Sequence, residues 1–407
     1  MKHRAKNRRR REGLAPRAIC GAVALALLAM QVAPPALAGQ EEQARRIYER
    51  LAGVPPSATV LNMMVTAIQA QPGNAGLVAA AAIATDPKYA PDFYDATLKE
   101  FINPWTNRNQ SAFVPFNDYT ATVIGMIRDD VPFNTVLSAN ILYTVNAPPG
   151  VSLPPPSPAN NDHYATAEAD GVDFANYLVQ TTQTAAYGTP PQAVAGVWTT
   201  RAGAAAYFVL GTNRAQFRFT MLNYLCHDMQ TVMDNTRPSD RVRQDVARSP
   251  GGDSRVFLNN CAGCHTGMDP MAQAFAYYDF STTTNQLVYT QGQVQPKYVK
   301  NPQNFPWGFV TPDDTWSNRW RTGPNADLGW DPNLPGSGEG AASLGQELEN
   351  TTAFANCQVV KVFQQVCLHT PLSLADQGTV ATIQASFQNG YDLKQVFQQT
   401  AASCAGN

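Results

Sequence analysis

The sequence predicts a mainly α-helical, multi-helix protein, interrupted late by a loop-rich segment of short strands. Three observations carry that expectation. Apolar residues recur at helical spacing through much of 40–146 and again from residue 341 onward. Strand signals are confined to 282–335, and 407 residues with 44% hydrophobic content suffice for a sizeable core. With 29 Lys+Arg against 31 Asp+Glu and only 15% charged residues, the composition excludes wholesale disorder, a collagen-like chain and a nucleic-acid binder relying on bulk positive charge.

Residues 1–38 read as an export leader. Eight Lys/Arg and one acid, Glu12, precede an uncharged apolar run at 18–30, and Ala36-Leu37-Ala38 supplies a small-residue cleavage site. The run is too short for a membrane anchor, and no later stretch is long enough to cross a bilayer. Cleavage would leave 21 basic and 30 acidic residues, a net charge of about -9, and would remove Cys20, leaving six cysteines. The expected location is the bacterial periplasm or the extracellular space.

The segment 39–146 is expected to form a helical domain. Glu41–Ala52, Ala58–Gln71, Asp92–Ile102, Asn117–Val131 and Phe133–Tyr143 each read as helix, with Asp130-Val131-Pro132-Phe133 a helix boundary. Residues 147–158, APPGVSLPPPSP, open a proline-rich linker and polar segment at 147–192, expected to be extended and exposed. Ala193–Leu210 and Arg214–Asp234 return to helical periodicity within a third unit, 193–340. Its irregular insertion has Gln286–Gln295 as the best hairpin candidate. A C-terminal helical unit, 341–407, divides into helices near 342–368, 374–388 and 391–403, with a break at Gly390.

Residues 261–265 read Cys-Ala-Gly-Cys-His. Two thiols three positions apart reach two haem vinyl groups from one helical turn, and the adjacent imidazole then lies beneath the iron. Cys261 and Cys264 are therefore the expected thioether residues of one covalent haem c, with His265 the proximal ligand. A thioredoxin-like pair would need a βαβ setting, and a structural zinc would need a second ligand pair. The distal ligand stays open among His227, Met229, Met233 and His369, or none at all; Met268 and Met271 read as packing residues and His163 as a solvated loop residue.

Cys226, Cys357, Cys367 and Cys404 remain for disulfides. Cys357 and Cys367 lie ten residues apart in one predicted helix, about 15 Å at about 1.5 Å per residue, beyond the roughly 7 Å that bridged Cα atoms span. An up-down-up arrangement of the last three helices brings Cys404 near Cys367 and leaves Cys357 for Cys226.

The stretch Cys261–Pro270, continuing through Phe275 to Tyr278-Asp279-Phe280, resembles the C-x-x-C-H-x-x-(M/I)-D-P pattern of secreted planctomycete-type cytochrome domains of unknown function. Phe354–Cys357 through Val362-Phe363, Leu372, Asp376 and Gly390–Leu393 is similar to the small helical domain that follows it there. Asp130–Tyr143, and Arg201-Ala202-Gly203 before Asn213-Arg214, are similar more loosely to the preceding helical domain. Ala272-Gln273 departs from the glycine common after the D-P step, and four cysteines are extra. The resemblance implies a mainly α-helical protein with one covalent haem and an electron-transfer role, and supplies no substrate.

The leading expectation is thus an exported monohaem cytochrome c, with a negative charge that favours a basic redox protein as partner. The alternative is a haem-dependent oxidoreductase of peroxidase or oxygenase type, or the haem subunit of a periplasmic dehydrogenase. In that reading Trp307, Trp316, Trp320 and Trp330, with Arg319 and Arg321, line a haem pocket; otherwise they form a small satellite core with surface arginines. Asp129, Asp130, Asp313 and Asp314 make no catalytic dyad.

Overall fold

Short polar side chains fix where the helices begin. The computed structural model describes residues 39–298 and 305–406, so the expected leader lies outside the described residues. The first helices are α1 (Gln40–Ala52), α2 (Ala58–Ala70) and α3 (Asn74–Ile83). Gly53, at φ 75°, ends α1 in the left-handed conformation, and the Ser57 hydroxyl accepts the Val60 N–H to start α2. A helical run follows over Phe93–Leu98 and Lys99–Ile102. Asn117 then caps α4 (Asp118–Arg128) by accepting the Thr120 N–H at 3.1 Å.

Phe133–Tyr143 does not form the expected helix. One helical turn at Phe133–Thr135 gives way to a loop and to β1 (Leu142–Val145). Tertiary partners claim the backbone there: Glu349 accepts the Leu137 N–H at 2.7 Å, and the Val136 and Ala139 carbonyls accept from Val197 and Gly196. The proline-rich run is extended as expected, but Val151 and Leu153 pack against the core, so it is a docked strap rather than a free linker. His163, in α5 (Asp162–Ala169), is only 4% exposed, which corrects its expected place in a solvated loop. Its Nε2 accepts the Val145 N–H at 3.0 Å while Nδ1 meets the Pro154 carbonyl at 2.7 Å. Strand β2 (Leu178–Thr181) pairs antiparallel with β1.

The next two helices are shorter than their periodicity predicts: α6 (Arg201–Tyr207), capped by Thr200, and α7 (Arg214–Tyr224). Cys226, at φ 58°, turns the chain out of α7, so residues 227–235 run as a loop. After it come α8 (Ala262–Ala272), the hairpin β3 (Tyr278–Ser281) with β4 (Gln286–Tyr289), and the pair β5 (Thr315–Ser317) with β6 (Ser337–Glu339). The hairpin thus starts earlier than Gln286, which opens its second strand. The expected helix at 342–368 is two, α9 (Gly340–Glu349) and α10 (Thr352–Cys367), because Thr351 caps a new start. The chain ends in α11 (Leu374–Phe387) and α12 (Leu393–Ser403), started by Ser373 and Asp392.

The protein is mainly α-helical, with three two-stranded antiparallel sheets among the described residues. One apolar cluster runs from Ala44 to Ala405 and crosses the expected divisions at 146, 192 and 340. Helix α12 packs on α3 and α10, closing the ends of the chain onto each other. Cys226 is bonded to Cys357 and Cys367 to Cys404, with Cα atoms 5.3 and 5.6 Å apart. No described helix is long and apolar enough to cross a membrane.

Glu349 is fully buried, and burial pushes its carboxyl from an ordinary 4.5 to about 8 despite the hydrogen bonds donated by Ser138 and Leu137. A raised folded value means that its contribution to stability is complete below about pH 4.5 and is lost as pH rises from there through about 8. Urea midpoints should fall across that interval, and the fall should be shallower in Glu349→Gln.

Candidate functional site

A π-helical turn, Phe257–Cys261, leads directly into α8, with Cys261 at its N-cap. At about 100° per residue, Cys261, Cys264 and His265 share one face, and Gly263 points the opposite way. The back of the helix is buried through Ala262, Gly263, Thr266 and Gly267, while both thiols and the 18%-exposed His265 side chain remain partly open. Leu258, one turn before Cys261 and 57% exposed, continues this face as an apolar surface.

The loop 229–235 holds the back and flank of α8. The Asp234 N–H donates to the Gly263 carbonyl at 2.9 Å, and the Thr266 hydroxyl donates to the Asp234 carbonyl at 3.0 Å. The Cys264 thiol meets the Met229 carbonyl at 3.4 Å. This approach needs a residue without a side chain at 263, since a Cβ there would lie 2.9 Å from Asn235 Oδ1 and 3.1 Å from Met233 Cβ. Gly267 is tighter still, because the Trp320 indole occupies the space of its missing Cβ.

His265 is fixed from below. Its Nδ1 lies 3.1 Å from Oδ1 of Asp269, one helical turn on, and the Asp269 side chain is fully buried. The Arg214 Nε donates to Asp269 Oδ1 at 2.8 Å and its Nη2 to Oδ2 at 3.0 Å, and the Arg243 N–H donates to Oδ2 at 3.1 Å. Burial alone would raise the Asp269 carboxyl, but Arg214 and Arg243 hold it well below the usual range. Arg214 also forks onto Asp245, at 2.7 and 2.9 Å. Sequence reasoning saw Asp269 only as part of a motif; the His-to-Asp spacing of four on a helix was the signal that could have given it a role.

The distal candidates are dispersed. Met229 is buried in the main core, and Met233, 46% exposed, faces the back of α8 at Gly263. His227 meets Thr231 through Nδ1, and His369 sits past the end of α10 against Phe363 and Thr370. Met268 and Met271 are core residues. The four tryptophans form no satellite core: Trp316 and Trp320 belong to the main core, Trp330 packs against it and Trp307 is exposed. Arg319 and Arg321 are occupied by Asp240 and Glu347.

Cys261 and Cys264 are unbridged, whereas the other four described cysteines are paired. Burial raises the Cys264 thiol, and Cys261 and Asp228 add to the rise, the opposite of what activates a redox dithiol. Among the described residues no three His, Cys, Asp or Glu side chains converge to hold a bare metal ion. Comparison with protein-family models, curated proteins and solved structures gives no match.

Filling the space at Gly267 should force Trp320 away from α8. Gly267→Ala should cost about 1–3 kcal/mol of stability, in line with overpacked cores, read as a lower denaturation midpoint together with altered tryptophan fluorescence.

Proposed function

We propose that the chain is an exported c-type cytochrome that carries single electrons through one haem, joined by thioethers to Cys261 and Cys264 and ligated by His265. The observation that carries this reading is the pairing of all other described cysteines around two unbridged thiols that share a helical face with an imidazole whose second nitrogen is already engaged. The donor set fits the group. The thiols sit one turn apart at the open end of α8, and His265 Nε2 is the ring nitrogen not engaged by Asp269. Val256 and Leu258 offer uncovered apolar surface next to Cys261.

When bound, haem supplies the ferric/ferrous couple. The chain's residues do the rest: Cys261 and Cys264 retain the group covalently, Asp269 orients the imidazole, and the buried back of α8 keeps the attachment face rigid. The resemblance of Cys261–Pro270 to secreted cytochrome domains and the two disulfides support export, and a net charge of about -9 without the leader suits a basic partner.

The full chain, produced with its leader in a bacterium that matures c-type cytochromes, should carry one haem that survives denaturation. Cys261→Ala with Cys264→Ala should abolish attachment. A low-spin iron indifferent to carbon monoxide supports electron transfer. A chain exported with two free thiols and no haem overturns the haem reading, and a high-spin iron that binds carbon monoxide or peroxide overturns the carrier role.

A further inference from the structure

The bond between His265 and Asp269 fixes more than an orientation. An ionised carboxylate has no hydrogen to give, so Nδ1 carries the ring hydrogen and Nε2 the lone pair. Asp269 has no structural need of that bond. Its charge is already met by two hydrogen bonds from the Arg214 guanidinium, one from the Arg243 N–H, and the Arg243 guanidinium at 3.8 Å. Around it stand two carboxylates, Asp245 and Asp269, and two guanidiniums, Arg214 and Arg243, a balanced set to which a neutral imidazole adds no charge. All five N–H groups of Arg214 have acceptors, in Asp269, Asp245 and Thr212. What the bond does is couple a dry negative charge to the far side of the ring whose lone pair faces outward.

We propose that Asp269 is the positioning residue that sets the electron-donating strength of His265, and that Arg214 sets how much of the Asp269 charge the imidazole receives. The inference rests on the haem reading of the motif. A hydrogen bond from Nδ1–H to a carboxylate makes the imidazole more basic at Nε2 than a bond to a neutral carbonyl does. A more basic ligand favours the ferric state, so the haem accepts electrons only from strongly reducing donors. Arg214 opposes this by drawing carboxylate charge towards α7, and Asp245 competes with Asp269 for the same guanidinium.

Two measurements separate this inference from the haem reading. In the haem-free full chain, nitrogen NMR of His265 should show hydrogen on Nδ1, with a downfield proton that moves upfield in Asp269→Asn; hydrogen on Nε2 overturns the inference whether or not haem ever binds. In the haem-bearing chain, Asp269→Asn should shift the ferric/ferrous equilibrium towards ferrous by about tenfold, the scale of outer-shell substitutions, and Arg214→Gln should shift it towards ferric. Asp234→Asn removes a carboxylate buried beside α8 that has no bond to His265. A shift from Asp234→Asn equal to that from Asp269→Asn overturns the proposal, since the field of a nearby charge would then suffice. Should Asp269→Asn fail to fold, Asp245→Asn takes its place: freeing Arg214 for Asp269 should shift the equilibrium towards ferrous, opposite to Arg214→Gln, and shifts of the same sign in both overturn the proposal.

Discussion

The buried carboxylate of Asp269 is the constraint around which the candidate site is arranged. An unpaired ion in such a place costs several kcal/mol even after relaxation, so the segments that neutralise it have little freedom. Arg214 at the start of α7 and Arg243 in the loop before α8 must both converge on one helical turn. That convergence fixes α8 against α7, and the orientation of His265 follows from it.

A second constraint frees the loop that buttresses the other flank. Cys226 leaves α7 in a left-handed conformation and is bonded to Cys357 on α10. The chain beyond it therefore departs from the helical course its periodicity suggests and delivers Met229, Met233 and Asp234 to the flank and back of α8. The two cysteine pairs thus have different neighbours: Cys226–Cys357 lies beside the loop that supports the motif, while Cys367–Cys404 pins α10 to the end of α12.

Much of this was legible in the sequence wherever the information is local. Caps at Ser57, Asn117, Ser373 and Asp392 and the break at Gly390 placed most helix boundaries, and helix geometry alone separated Cys357 from Cys367. Phe133–Tyr143 failed because Glu349, more than 200 residues away, takes a backbone donor that a helix would have kept. His163 failed because two carbonyl and amide partners from the strap and β1 surround it, and neither has a sequence signature. The motif residues were legible as chemistry, but their support was not. Trp320 beneath Gly267 and Arg214 beneath Asp269 come from 53 and 55 residues away, and only the helical spacing of His265 and Asp269 was local enough to read.

The closure of α12 onto α3 has a kinetic side. As the chain is made from its N-terminus, α1 to α3 emerge with apolar faces whose cover lies more than 300 residues downstream. Contacts of such sequence separation form slowly, because the loop entropy is lost before the contact returns anything. The nascent chain therefore carries an incomplete core until its last helix arrives, and the Gln43 side chain meets its acceptor, the Gly406 carbonyl, only at the very end. Over that interval the chain needs a holding partner or a low local concentration to stay out of aggregates.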